Sequence, residues 1–70
     1  MISRAAQEAA ESIWMPIDMA RSDGLDVQGR YGVAASEAFG AALYADGDDR
    51  TFFLWLNQTL HELEYSEDTA

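Results

Sequence analysis

Apolar residues recur at helical spacing in three stretches of this chain. Between about Ser3 and Arg21, the residues Ala6, Ala9, Ala10, Ile13, Ile17 and Ala20 fall on one stripe when the backbone turns about 100° per residue. Ser3 stands where an N-cap belongs. Pro16 interrupts the stretch, yet the stripe keeps its phase across it. The spacing therefore predicts a kinked helix or two short helices meeting there. Asp23-Gly24 ends the segment, and the three glycines between Gly24 and Gly32 read as a loop. Leu25-Asp26-Val27 and Tyr31-Gly32-Val33 could instead pair as a small hairpin about Gln28-Gly29. A second helix is expected over about Ala34 to Ala45, with Ala35, Ala38, Phe39, Ala42 and Leu43 as its inner face.

The stretch Asp46-Gly47-Asp48-Asp49 then reads as a turn. A third helix follows from about Arg50 to Tyr65, capped by Asp48 or Asp49. Its expected core face is Phe52, Phe53, Leu56, Leu60 and Leu63. Thr51 to Leu56 also has high β-propensity, and the turn before it could close a β-hairpin. The predicted architecture is all-α, a compact bundle of about three helices. A small α+β fold with a short hairpin is the second choice.

Length makes this one domain, residues 1–70, with a modest core; a mobile tail is expected over 66–70. Cysteine is absent, which removes disulfides and thiolate metal cages. Oligomerisation, a homodimer for example, or binding to a larger partner is the remaining way to add stability. Thirteen acidic residues face four arginines, for a net charge of −9. A field of that sign repels nucleic acid and anionic membrane and draws in basic protein surfaces. Acidity can also serve solubility alone. High charge favours disorder, but 49% hydrophobic residues, with three Phe, two Trp and three Tyr, predict a folded core. The start, Met1-Ile2-Ser3-Arg4, has no apolar run like that of a secretory signal. The longest apolar run, Phe52 to Leu56, is too short to span a bilayer, so a cytoplasmic location is expected. The sequon Asn57-Gln58-Thr59 is then a coincidence.

The inventory for catalysis is thin. There is no cysteine or lysine, and His61 is the one histidine. It lacks the second histidine of a zinc-protease helix, and no nucleophile elbow or phosphate-binding loop occurs. Counting an EF-hand loop from Asp46 puts Thr51 where glycine belongs and Asn57 where the bidentate glutamate belongs. No enzyme activity, cofactor or metal is expected. The Asp-Ser-Leu of acyl carrier proteins is matched at neither Ser22 nor Ser36.

Two kinds of surface remain. Glu8, Glu11 and Asp18 fall within roughly 80° of one another opposite the apolar stripe of the first segment, an acidic ridge with Met15 and Met19 beside it. Asp46, Asp48 and Asp49, with Glu62 and Glu64 further on, complete the acidic candidates for partner binding. On the third helix Leu54, Gln58, His61 and Tyr65 line up away from the expected core face, an alternative apolar contact stripe.

Length, the 13:4 ratio of acid to base, alanine-rich helices, and the clusters Asp46-Gly47-Asp48-Asp49 and Glu62 to Asp68 together resemble a class of bacteriophage proteins. These are the small inhibitors of host defence, anti-CRISPR and anti-restriction proteins, that imitate the charge of DNA. The resemblance covers the whole chain as a profile and rests on no motif. It implies a non-catalytic inhibitor, in the host bacterial cytoplasm, that blocks target-DNA binding by a CRISPR surveillance complex at its basic DNA-binding groove, without itself touching nucleic acid. DNA presents about one charge per 1.7 Å of axis. Helical carboxylates three and seven residues apart are spaced by roughly 4.5 and 10 Å. The alternative is a structural or regulatory interaction module, antitoxin-like or adaptor-like, binding through the Leu54–Tyr65 stripe.

Overall fold

A computed structural model describes residues 1–68, with residues 67 and 68 by their backbone alone. Three helices follow in order: α1 Arg4–Asp23, α2 Val27–Tyr44 and α3 Gly47–Asp68. They form an all-α bundle of 35 × 20 × 17 Å, with no strand among the described residues. Both segments that could have entered hairpins, around Gln28-Gly29 and over Thr51–Leu56, are helical. A strand at Thr51 would alternate its faces. The helix instead brings Phe53, Leu56 and Leu60 to one buried side.

In α1 the Ser3 hydroxyl accepts the Ala6 N–H at 3.1 Å, the expected cap. Ala6, Ile13, Ile17 and Ala20 are buried, with Ala9 and Ala10 half-buried at the edge of the stripe. The helix passes through Pro16 as a single element. Pro16 has no N–H for the Ser12 carbonyl. Both residues lie on the exposed side, where water can take that carbonyl's bond. Gly24, at φ 69°, closes α1: its N–H meets the Arg21 carbonyl, and the Leu25 N–H meets the Ala20 carbonyl at 2.9 Å. Glycine alone adopts that left-handed backbone without steric cost.

The loop expected from Gly24 to Gly32 is in fact three residues, 24 to 26. α2 begins at Val27, seven residues before the expected start at Ala34. Asp26 makes this start, its side chain accepting the Gln28 N–H at 3.1 Å. Gly32 lies inside the helix on the side that α3 passes: a Cβ there would lie 3.2 Å from a carboxylate oxygen of Glu64, the far end of a flexible side chain. The true inner face is Tyr31, Ala34, Ala35, Ala38 and Ala42. Phe39 and Leu43, expected inside, are 49% and 61% exposed. They lie on the flank of α2 beyond α3, because the alanines take the inward positions and draw the two helices together.

α3 starts at Gly47 instead of Arg50, after a turn that Gly47 completes at φ 59°. Asp48 and Asp49 are therefore inside its first turn and not ahead of it as caps, a position that still suits the helix dipole. Of the expected core face, Phe53, Leu56 and Leu60 are buried, while Phe52 and Leu63 are half-buried against them. Helix α3 packs chiefly on α2, and α1 lies across the pair, resting mainly on α2. Two side chains stitch α3 to α2: Asn57 donates to the Ala35 carbonyl at 2.7 Å, and Arg50 donates to the carbonyls of Ala42 and Ala45 at the end of α2. The tail expected over 66–70 overlaps the last turn of α3, which is described to Asp68; residues 69 and 70 lie outside the described residues.

Candidate interaction surfaces

The acidic ridge is present as geometry. Glu8, Glu11 and Asp18 are all exposed on the outer side of α1, because the inward stripe fixes the rotation of the helix. Arg4 lies 3.4 Å from Glu8, both largely in water, so this pair neutralises part of the ridge at little energetic gain. Glu11 and Asp18 border a shallow groove lined by Ala10, Trp14, Met15 and Met19. Met15 and Met19 are more than half exposed. A methionine floor between carboxylates is an adaptable surface for apolar groups that carry positive charge.

The Asp46–Asp49 cluster divides in two. Asp46 is exposed. Asp49 is half-buried and accepts from the Ser3 backbone N–H at 2.8 Å and from the Ser3 hydroxyl at 2.6 Å. The hydroxyl bond first, and the backbone bond second, hold the Asp49 carboxyl below the usual carboxylate range. Ser3 thus passes a chain of hydrogen bonds from Asp49 to the first turn of α1. Asp48 accepts from the Met1 ammonium, which raises that amine's pKa. Asp49 is therefore part of the clasp between α1 and α3, a role the sequence spacing of 46 residues did not reveal.

Glu62 is exposed and accepts weakly from Gln58 at 3.5 Å. Glu64 is half-buried beside Gly32, and its backbone carbonyl accepts from Gln28 at 3.3 Å. The acidic candidates therefore do not form one patch. Glu8, Glu11 and Asp18 share the face of α1, whereas Asp46, Asp48 and Asp49 sit at the turn into α3.

Leu54, Gln58, His61 and Tyr65 are all exposed on α3, as their spacing predicts. The structure adds two residues that the sequence had assigned to the core. Phe39 and Leu43 project from the α2 side that borders this stripe, given the register set by Asn57 on Ala35 and Arg50 on Ala42. The signal was available in the chain. Tyr31, Ala34, Ala35, Ala38 and Ala42 form a complete helical stripe once α2 is allowed to start before Gly29, which leaves Phe39 and Leu43 outside it.

Tyr31 is the largest fully buried side chain. Trp14 meets its ring edge-on at 6.2 Å, Arg21 donates to its hydroxyl, and the Arg21 guanidinium lies 5.6 Å from the ring centroid. Among the described residues no group of three or more His, Asp or Glu is placed to hold a metal ion, and no helix is long and apolar enough to cross a membrane. No known family model, curated protein or solved structure matches this chain.

Proposed function

We propose that this chain is a non-catalytic binding protein whose acidic surface engages a basic surface on another macromolecule. The placement of charge carries this reading. Glu8, Glu11, Asp18, Asp46, Asp48 and Glu62 all face solvent. Arg21 is turned to the Tyr31 ring, and Arg50 to the carbonyls at the end of α2. These six carboxylates are thus displayed on the outside. Such a field speeds encounter with a basic groove and competes there with phosphates. In its more specific form, following the resemblance to phage inhibitors, the chain blocks target-DNA binding by a CRISPR surveillance complex.

Salt and charge removal test the reading together. The chain, immobilised, should retain partners from a bacterial lysate at about 50 mM salt and release them by about 500 mM, where the screening length falls to a few ångström. The triple variant Glu8→Gln, Glu11→Gln, Asp18→Asn should retain markedly less, as should Asp46→Asn with Asp48→Asn. Duplex DNA should displace the chain from the captured partner. Asp49 is left intact in these variants because it holds α1 in place. Partner retention that is unchanged in both variants at low salt rejects the acidic surface.

A second reading rests on the exposed Phe39, Leu43 and Leu54, which extend the Leu54–Tyr65 stripe onto a neighbouring helix. An interaction module using that face would hold its partner through apolar contact, with little response to salt.

A further inference from the structure

We infer that the groove on the outer side of α1 between Glu11 and Asp18 receives an amphipathic helix of a partner protein, one that carries two basic side chains two turns apart. The inference rests on the acidic-surface reading and narrows it to one face and one kind of partner.

The phase of α1 lays out the groove. At about 100° per residue, Glu11 and Asp18 lie only about 20° apart around the helix, and at about 1.5 Å per residue they are roughly 10 Å apart along it. Midway between them stand Trp14 and Met15, about 50° to either side of the line that joins the carboxylates. Ala10 continues the Trp14 side and Met19 the Met15 side, and these six residues line the groove. The result is an apolar saddle with a carboxylate at each end. Its two walls differ. Trp14 is half-buried and set edge-on against the enclosed ring of Tyr31 at 6.2 Å, which fixes that wall. Met15 and Met19 are exposed and unbranched, and can move to fit what lies against them.

Charge selects the occupant. Among the described residues neither Glu11 nor Asp18 is within ion-pair distance of a cation: Arg4 is beside Glu8, and the Met1 ammonium is on Asp48. Two carboxylates without a counter-charge at the ends of an apolar saddle repel nucleic acid and anionic lipid. A neutral apolar ligand would leave both of them idle. A basic amphipathic helix answers both features. Its residues i and i+7 are spaced as Glu11 and Asp18 are on α1, and its residues i+3 and i+4 fall between them, over Trp14 and Met15. An arginine at either end can also lie against the Trp14 ring. A second copy of this chain lacks that complement, because no helix carries two of the four arginines, Arg4, Arg21, Arg30 and Arg50, within two turns of one another. The neighbouring groove across the methionines lacks the charge: there Arg30 stands with Asp23 in the lining.

A synthetic peptide tests this. The probe is a blocked, alanine-based helix with two arginines seven residues apart and leucines three and four residues after the first arginine. Trp55→Phe leaves Trp14 as the one tryptophan of the chain, so its fluorescence reports on the groove. At about 50 mM salt a saturable change is expected, with a Kd below about 1 mM, and it should weaken steeply by about 500 mM. Glu11→Gln with Asp18→Asn should lower affinity about tenfold or more and remove most of the salt response. Met15→Ala with Met19→Ala should lower it about fivefold or more and keep the salt response. Helical circular dichroism should be unchanged in both, since all four side chains are exposed. Asp46→Asn with Asp48→Asn should change affinity by less than about twofold. A peptide of the same composition with the second arginine moved two places, to another side of its helix, should bind at least about fivefold more weakly. No saturable change up to about 1 mM peptide overturns the proposal, as does equal binding of the two peptides. So does an Asp46 and Asp48 variant that loses as much affinity as the Glu11 and Asp18 variant. In those cases the acidic surface still stands if partners from lysate are lost with its carboxylates. Lysate partners that ignore the carboxylates remove both readings.

Discussion

The seam between α2 and α3 and the seat of α1 are built from different materials. Between α2 and α3 the inward residues of one helix are, beyond Tyr31, all alanines, Ala34, Ala35, Ala38 and Ala42, and the other contributes Phe53, Leu56 and Leu60. The backbones come near enough for Asn57 to reach a carbonyl of α2. Helix α1 rests on the pair with larger side chains, Ile13, Ile17 and Trp14, and polar bonds fasten it near each end: Ser3 to Asp49 at its start, and Arg21 to Tyr31 at its finish. Small residues give a seam that depends on close approach along its whole length. Polar fastenings at two points leave the middle of α1 free to bury an ordinary apolar stripe. The first arrangement fails when its volume changes; the second loosens when a hydrogen bond is removed.

Leu60→Ala and Leu56→Ala should lower stability most, each by about 2–5 kcal/mol, because both side chains are fully enclosed where α3 meets α2. Chemical denaturation measures this, and unchanged midpoints in both variants would place the core elsewhere. Overfilling the seam comes next. Ala38→Leu should cost about 1–3 kcal/mol, since Ala38 has no exposed surface and its neighbours must separate to admit the new atoms. A seam that accepts leucine without loss is not a close one, and the contrast with α1 fails.

Loosening α1 is expected to cost less. Ser3→Ala removes the cap and the hydroxyl half of the clasp, leaving the backbone N–H bond to Asp49, at about 0.5–2 kcal/mol, and hydrogen exchange should rise in the first turns of α1 while the centre of α3 stays protected. The same clasp gives a pH dependence. The Asp49 carboxyl has a lowered pKa in the fold, so its stabilising effect is present above the unfolded value of about 4 and is lost as pH falls through the folded one. Asp49→Asn should therefore lower stability near neutral pH and flatten the acid limb of the stability curve. An acid limb as steep as in the wild type would show that other carboxyls set it. Smallest of all, His61→Ala lies in water and should change stability by less than about 0.5 kcal/mol. A larger loss would mean that His61 is packed in the folded chain.

The apolar stripe of α1, its cap at Ser3 and the core residues of α3 were legible because local rules govern them: periodicity, a hydroxyl at a helix start, large side chains three and four apart. The start of α2 was not. Gly29 and Gly32 read as breakers in isolation, while the Asp26 cap and the packing of α2 on α3 carry the helix through them. Among the acidic candidates the exposure of Glu8, Glu11 and Asp18 followed from the α1 stripe, while the Asp49 clasp joins residues too far apart for any spacing rule.

The amino-acid sequence by itself determined that this chain is helical, acidic and free of cysteine, and that carboxylates line the side of α1 opposite its core, since charge and periodicity are properties of the chain read in order. Tertiary structure decided which side of α2 faces inward. Its alanines and its large residues are both apolar, so hydrophobicity cannot rank them. Packing can, because only alanine lets α3 come close enough to bury Leu56 and Leu60 completely, and that choice leaves Phe39 and Leu43 on the outside beside Leu54.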